Sequence, residues 1–160
     1  MNDRGLAEDI LTHSRVIALV GYSTDPSRPS NSVARYLRSQ GFRVIPVNPL
    51  LRGAVIEGER AYDRLADIPK SERIDFVDVF RRGEFLDAVV DDAHRAGVTA
   101  LWFQLALGNV AAAERAEALG MRVVWDRCTA IEHRRMKEAV RAGRVRSPRR
   151  SPVPRDGCAA

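Results

Sequence analysis

The sequence has few of the residues and runs that mark secreted or membrane-spanning proteins. Its 160 residues include only two cysteines, Cys128 and Cys158, so we expect no disulfide framework. No stretch approaches the roughly 20 apolar residues that a membrane helix requires. The N-terminal segment "MNDRGLAEDI" lacks the apolar core of a signal peptide. We therefore predict a cytoplasmic protein with no membrane partner.

The main part of the chain also lacks an excess of charge of either sign, although the net charge is +5. Acidic and basic residues balance over residues 1–140, and the arginines of residues 141–160 supply the surplus. That last segment is rich in proline and serine and has little to bury, as is typical of a disordered tail. We predict one domain over residues 1–140, a disordered tail over residues 141–160, and no nucleic-acid partner.

Apolar, strand-like runs alternate with amphipathic helical patterns along the chain. The strand-like runs are Val16–Val20 and residues 42–49, 74–80, 98–105 and 121–126, and the main helical patterns cover residues 30–40, 84–96, 110–119 and 132–142. Strands separated by helices of this length favour βαβ units. The pattern predicts an α/β fold with a doubly wound, five-stranded, mainly parallel sheet and helices on both faces. Residues 50–73 show no clear crossover helix.

Hydrogen-bond donors and cations follow the ends of the predicted strands. They are Ser23, Thr24, Arg28, Asn48, Arg81, Arg82, Gln104 and Arg127. Ligands of open parallel sheets bind at the carboxyl ends of the strands, and arginines with polar donors suit an anionic ligand. This pattern predicts a phosphate-bearing ligand, with generally polar strand ends as the alternative interpretation.

The loop after the first strand, "GYSTDPSRPS", lacks the glycines of a dinucleotide-binding loop. Gly21 occupies the first position of the G-x-G-x-x-G pattern, and the other two glycines are missing. The second strand ends in Asn48, where NAD-binding proteins place an acidic residue for the ribose. The free N–H groups at the start of the next helix still favour phosphate. An NAD(P)-binding regulator is therefore the weakest of the alternatives.

No pattern identifies a catalytic or metal site. His13, His94 and His133 are scattered over helical patterns without ligand spacing, and we expect them on the surface. Cys128 follows Arg127 at a strand end, where a cation can lower a thiol pKa, although a small buried cysteine is the commoner arrangement. Catalytic residues are left unassigned, and we predict no metal.

Four segments, in this order, resemble the stand-alone CoA-binding domain proteins of bacteria. They are "VGYSTDPSRPSNSVARYLRSQGFRVIPVNP", "DFVDVFRR", "LWFQLALGN" and "VVWDRCTAIEH". That family shares a Rossmann-like fold with the CoA-binding domain of the succinyl-CoA synthetase α-subunit. The resemblance implies that the loop after the first strand serves coenzyme A, free or as an acyl-CoA.

The resemblance also implies roles for individual residues. The phosphates would contact the turn after the first strand, the nucleotide would lie between the next two strand ends, and the fourth strand end would line the same cleft. The implied site residues are, in that order, Gly21, Tyr22, Ser23, Thr24, Arg28 and Ser30; Asn48 and Pro49 with Phe80, Arg81 and Arg82; and Gln104 and Leu105. Ala106 stands where the family usually has a glycine, and Gly108 follows two residues later.

The resemblance implies a ligand without a reaction. We predict a binding or regulatory module, with a subunit or remnant of an acyl-CoA-processing enzyme as the alternative. The chain has no room for the nucleotide-activating domain of a complete ligase, so whether it is an enzyme stays open. A homodimer or a separate ligase subunit also stays open as a partner.

Overall fold

The computed structural model describes residues 3–144. The helices and strands of this part are, in chain order, α1 Arg4–His13, β1 Val16–Val20, α2 Pro29–Ser39, β2 Arg43–Val47, β3 Val55–Ile56, β4 Glu59–Arg60, β5 Phe76–Val79, α3 Leu86–Arg95, β6 Ala100–Phe103, α4 Val110–Ala118, β7 Arg122–Trp125 and α5 Thr129–Arg141. Short 3-10 turns occur at Pro49–Leu51, Leu65–Asp67 and Gly83–Phe85.

The five longer strands form one parallel sheet in the order β2-β1-β5-β6-β7. The chain moves outward from β1 to β2, returns to β5 on the other side of β1, and then continues in the opposite direction. The strand order therefore reverses between β1 and β5, which is the switch point where doubly wound sheets bind ligands. The predicted fold class is confirmed.

Helices cover both faces of this sheet because most of its strand positions are apolar. One face packs Leu19 and Trp102 against α1, α2 and α5, and the other packs Ala18 and Leu101 against α3 and α4. We call the first of these the α5 face. Within residues 3–144 no helix is long and apolar enough to span a membrane.

Local sequence signals set most helix ends. Pro29 occupies the first turn of α2, and Gly41, with a φ of +91°, follows its end. Asn109 caps α4 by accepting a hydrogen bond from the Ala112 N–H at 2.7 Å. The helix predicted from residue 132 instead begins at Thr129, because Thr129 is fully buried against the sheet and packing extends the helix.

The irregular segment between β2 and β5 contains the small antiparallel hairpin β3–β4, which the sequence patterns did not predict. The Asn48 N–H donates to the Tyr62 carbonyl at 2.9 Å. Arg43 binds both Glu59 and Glu72. These contacts hold the segment against the edge strand β2 without a crossover helix.

The predicted tail begins at the last residue of α5, Arg141. Its residues 145–160, and with them Cys158, lie outside the described residues. The disordered tail therefore stays a prediction.

Candidate functional site

The segments that follow β1, β2, β5, β6 and β7 lie at one end of the sheet, which we call the carboxyl edge. The backbones of neighbouring strands come close together at Gly21, whose N–H donates to the Val47 carbonyl at 2.9 Å. Gly21 has a φ of +84°, and a Cβ at this position would lie 2.7 Å from the Phe80 carbonyl oxygen. A glycine is therefore required where β1, β2 and β5 end together.

The loop from Gly21 to α2 is ordered by its own polar side chains. The buried Ser30 hydroxyl accepts a hydrogen bond from the Ser23 N–H at 3.1 Å, and the Asn31 amide donates to the Ser23 carbonyl at 3.0 Å. Asp25 accepts from the N–H and hydroxyl of Ser27, and these bonds lower the pKa of the Asp25 carboxyl. These hydrogen bonds give the loop a defined shape.

Two of the predicted loop residues point outward. Thr24 and Arg28 are exposed, and Arg28 is the N-cap residue of α2 but makes no side-chain cap hydrogen bond. Pro29 has no N–H, and the Asn31 and Ser32 N–H groups donate to the Arg28 carbonyl. The first turn of α2 therefore presents mainly the positive end of its helix dipole beside the Arg28 guanidinium. Hydroxyls, backbone donors and a guanidinium together can bind an anion.

Asn48 ties the second strand end to this loop. Its side-chain amide donates to the Tyr22 carbonyl at 2.8 Å, and its oxygen accepts from the Leu50 N–H at 3.0 Å. A carboxylate could not make the first of these bonds, because it has no proton to donate. The Tyr22 ring is buried beneath the Arg38 guanidinium, and Pro49 is exposed.

A cavity of about 180 Å³ lies beside the loop, between the ends of the strands and α3. Apolar side chains line most of it: Val20, Val47, Leu65, Phe85 and Val89. The Arg81 guanidinium also lines the cavity and lies 4.7 Å from the centre of the Phe85 ring. The Arg64 guanidinium binds the Asp92 carboxylate at 2.7 Å and closes one wall.

Phe80 and Arg82, the neighbours of Arg81, lie in different surroundings. The half-buried Phe80 packs on the α5 face of the sheet, whereas Arg82 is exposed and precedes the 3-10 turn Gly83–Phe85. Of these three residues, Arg81 is the one that lines the cavity.

Gln104 is buried at the end of β6. Its side-chain amide donates to Asp78 Oδ1 at 2.7 Å and to Thr129 Oγ1 at 2.8 Å. The Thr129 hydroxyl donates to Asp78 Oδ2 at 2.9 Å. Burial raises the pKa of Asp78 to about 7, because the charged carboxylate loses its hydration.

The residues after Gln104 return to the surface. The Leu105 side chain is 54% exposed, at the same edge as the loop. Ala106 has a φ of +61°, a conformation that favours glycine, and the Asp126 carboxylate holds it by accepting the Ala106 N–H at 2.9 Å. The departure from the family's usual glycine is therefore accommodated by a local contact.

One expectation from the sequence, that all three histidines lie on the surface, is wrong. His133 is buried, and its Nδ1 lies 2.9 Å from the Tyr36 hydroxyl between α2 and α5. Cys128 is not an activated thiol, because burial raises its pKa. The neighbouring Arg127 instead binds the buried Glu132 carboxylate at 3.3 Å, so part of its charge is neutralised there.

The sequence patterns missed several residues of this edge: Asn31, Arg64, Asp78, Asp92 and Thr129. Asp78 alone had a signal, as a charged residue within the apolar run "FVDVF". The others lie on helices or in the irregular segment and reach the edge only through folding. Within residues 3–144 no group of three His, Cys, Asp or Glu side chains is arranged to hold a metal ion.

The sheet order, the helices on both faces and the loop at the switch point define the Rossmann-like class of α/β proteins. Residues 15–134 match the family model described as "CoA binding domain". The chain therefore belongs to the family of CoA-binding domains, and the resemblance found in the sequence is confirmed.

Several known proteins are similar to this chain. The uncharacterized protein YneT of Bacillus subtilis is 34% identical over 126 residues, which are 79% of this chain and 90% of YneT. The structure of cell-free ID.343 from Thermus thermophilus has a TM-score of 0.77 at 36% identity and covers 84% of this chain and 98% of that one. The dinucleotide-forming acetyl-coenzyme A synthetase 1 of Ca. Korarchaeum cryptofilum has a TM-score of 0.60 at 30% identity, over 77% of this chain and 27% of the synthetase.

Proposed function

We propose that this protein binds coenzyme A or an acyl-CoA at the carboxyl edge and acts as a binding or regulatory module. The observation that carries the proposal is the ordered loop from Gly21 to Ser30, located at the switch point of a chain that belongs to the CoA-binding domain family. The other contacts of this edge support a placement for each part of the ligand.

The phosphates bind at the loop and the first turn of α2. Ser23 and Thr24 supply hydroxyls, Thr24 also supplies a backbone donor, Arg28 supplies a cation, and the helix dipole favours a negative charge there. Ser30 contributes indirectly, because its hydroxyl is already used to hold the Ser23 N–H. Gly21 and Tyr22 bring the backbone close enough for this contact.

The adenosine occupies the cavity beside α3. A flat aromatic base suits the apolar walls formed by Val20, Val47 and Val89, and Pro49 borders the entrance. The guanidinium of Arg81 stacks on one face of the Phe85 ring and carries a positive charge toward the phosphates. Phe80 supports this strand end from the opposite face, and Arg82 adds charge at its surface.

The pantetheine arm and any acyl group extend along the β6 end. Leu105 is 54% exposed and offers an apolar contact there, whereas Gln104 acts through its buried hydrogen bonds. Asn48 disfavours NAD, because its amide is occupied by Tyr22 and it provides no carboxylate for a ribose.

A second candidate is the CoA-binding subunit of an acyl-CoA-processing enzyme. The similarity to the korarchaeal acetyl-coenzyme A synthetase favours it, because the matched region is 27% of that longer chain. Such a role requires a separate ligase subunit as partner. Mixing the protein with an ATP-dependent ligase subunit and assaying acyl-CoA formation distinguishes this candidate from a module that only binds.

Calorimetric titration with CoA, dephospho-CoA and NAD tests the binding proposal. We expect heat and saturable binding with CoA, weaker binding with dephospho-CoA, and no binding of NAD at the same concentration. Tight NAD binding with no response to CoA would refute the proposal.

A further inference from the structure

Asp78, Gln104 and Thr129 form a closed hydrogen-bonded triangle inside an otherwise apolar cluster. All three side chains are buried, and their three bonds measure 2.7, 2.8 and 2.9 Å. Gln104 Nε2 donates two protons and the Thr129 hydroxyl donates one. These three protons match the two carboxylate oxygens and one hydroxyl oxygen that accept them.

This match between donated protons and acceptor oxygens requires Asp78 to be in its charged, carboxylate form. A proton added to either carboxyl oxygen would face a donor, so at least one bond of the triangle would have to break or reverse. A buried carboxylate is expensive to maintain, since it has lost its hydration. A fold that keeps one in an apolar cluster gains little stability from it, which points to a role other than stability.

Each corner of the triangle is attached to a segment of the carboxyl edge. Asp78 precedes Phe80 and Arg81 by two and three residues, and Gln104 directly precedes the exposed Leu105. Thr129 is the first residue of α5. The triangle therefore joins the ends of β5 and β6 to the start of α5 from inside the sheet.

Of the groups packed together around Asp78, we expect Asp78 itself to be the one that gains or loses a proton. Its register partners on β1 and β6 are Leu19 and Trp102, which carry no ionisable group. From α5 the Cys128 thiol faces it, and burial together with the charge of Asp78 raises the thiol pKa. The other ionisable groups at the start of α5 are engaged elsewhere, Glu132 with Arg127 and Arg135, and His133 with Tyr36.

We propose that the Asp78 carboxylate is a positioning residue, which holds the β5 and β6 ends in the arrangement that binds CoA. The inference rests on the proposed function and deepens it, because it makes ligand affinity depend on the protonation of a residue that the ligand does not touch. Protonation breaks or reverses a bond of the triangle, loosens Arg81 and Leu105, and weakens binding.

The test compares CoA affinity between wild type and Asp78→Asn by calorimetry at pH 8, 7 and 6. The asparagine keeps the shape of the side chain, but its –NH2 group cannot accept the second of the two hydrogen bonds that the Asp78 carboxylate accepts. We expect Asp78→Asn to bind CoA about tenfold more weakly at pH 8, the value of roughly one charged hydrogen bond, and within about twofold of wild type at pH 6. The CoA phosphate also titrates in this range. The result is therefore the ratio of the CoA affinities of variant and wild type at each pH, because the titration of the ligand affects both proteins equally.

Asp75→Asn is the matched control. Asp75 precedes the same strand at the opposite edge, where its carboxylate accepts the Arg15 and Val16 N–H groups. We expect its affinity ratio to wild type to stay constant with pH. A second pair, Thr129→Ala and Thr129→Ser, removes or keeps the hydroxyl, and we expect weaker CoA binding at pH 8 for the alanine variant alone.

The outcomes separate the two proposals. If wild type binds CoA and folded Asp78→Asn binds it with the same affinity, the role of Asp78 is overturned but the proposed function is not. The same conclusion follows if the ratio of the two affinities does not vary with pH. If Asp78→Asn does not fold, equal affinities of Thr129→Ala and Thr129→Ser overturn it instead. Wild type that binds no CoA at pH 8 overturns the proposed function, and the positioning role with it.

Discussion

Replacing Gly21 by alanine tests the close contact between the β1 and β5 ends at the carboxyl edge. Two effects add at this position. The residue has a φ of +84°, which an L side chain rarely adopts, and the new Cβ would lie 2.7 Å from the Phe80 carbonyl oxygen. The chain offers a matched control in Gly41, whose φ is +91° but whose Cβ would meet nothing within 4 Å.

The two substitutions therefore share the backbone strain and differ in the clash. The left-handed conformation costs an alanine about 1–2 kcal/mol, which is the whole expected loss for Gly41→Ala. A clash with a backbone atom that cannot rotate away adds about 1–3 kcal/mol, as overpacking does elsewhere. We expect Gly21→Ala to lower the free energy of unfolding by that further amount relative to Gly41→Ala.

Urea denaturation of both variants measures this difference, and CoA titration measures its consequence for the site. The displaced loop after Gly21 should weaken CoA binding, whereas Gly41→Ala should bind CoA as wild type does. Equal losses of stability in the two variants would refute the close approach of the β1 and β5 ends.

Three further predictions follow from the same structure. Because the pKa of Asp78 is raised to about 7, above the ordinary value of 3.8, the folded protein takes up a proton on acidification from pH 8 to 6 that the unfolded chain does not. We expect acidification from pH 8 to 6 to stabilise wild type by about 1 kcal/mol more than Asp78→Asn in thermal unfolding. Parallel curves of unfolding free energy against pH for the two proteins would contradict this expectation. Arg28→Ala should weaken CoA binding about tenfold in calorimetry, whereas Arg73→Ala, at the opposite edge, should not. Equal effects of the two substitutions would refute the binding of a CoA phosphate at this loop. A chain ending at Ala142 should keep its melting temperature and its CoA affinity, and a loss of more than about tenfold at physiological salt would make the tail part of the site.

The alternation of apolar runs was sufficient to predict the parallel sheet and the helices on both faces. Continuous apolar runs and period-3.6 patterns are local, so β1 and α2 could be located from their own residues, as Pro29 and Gly41 at the ends of α2 illustrate. The hairpin β3–β4 could not be located, because strands of two residues have no periodicity to detect. The start of α5 was missed because burial of Thr129, rather than its helix propensity, extends the helix.

The candidate site divides in the same way. The sequence by itself determined that donors and arginines follow the strand ends, that the loop after β1 lacks the glycines for NAD, and which family the chain resembles. Only the tertiary structure decided that Gly21 must clear the Phe80 carbonyl and that Asn48 must donate to Tyr22. It also decided that Gln104 points inward to Asp78 instead of outward to a ligand. Residue type fixes which bonds a side chain can make, but the partner it meets depends on strands that are distant in the chain and adjacent in the sheet.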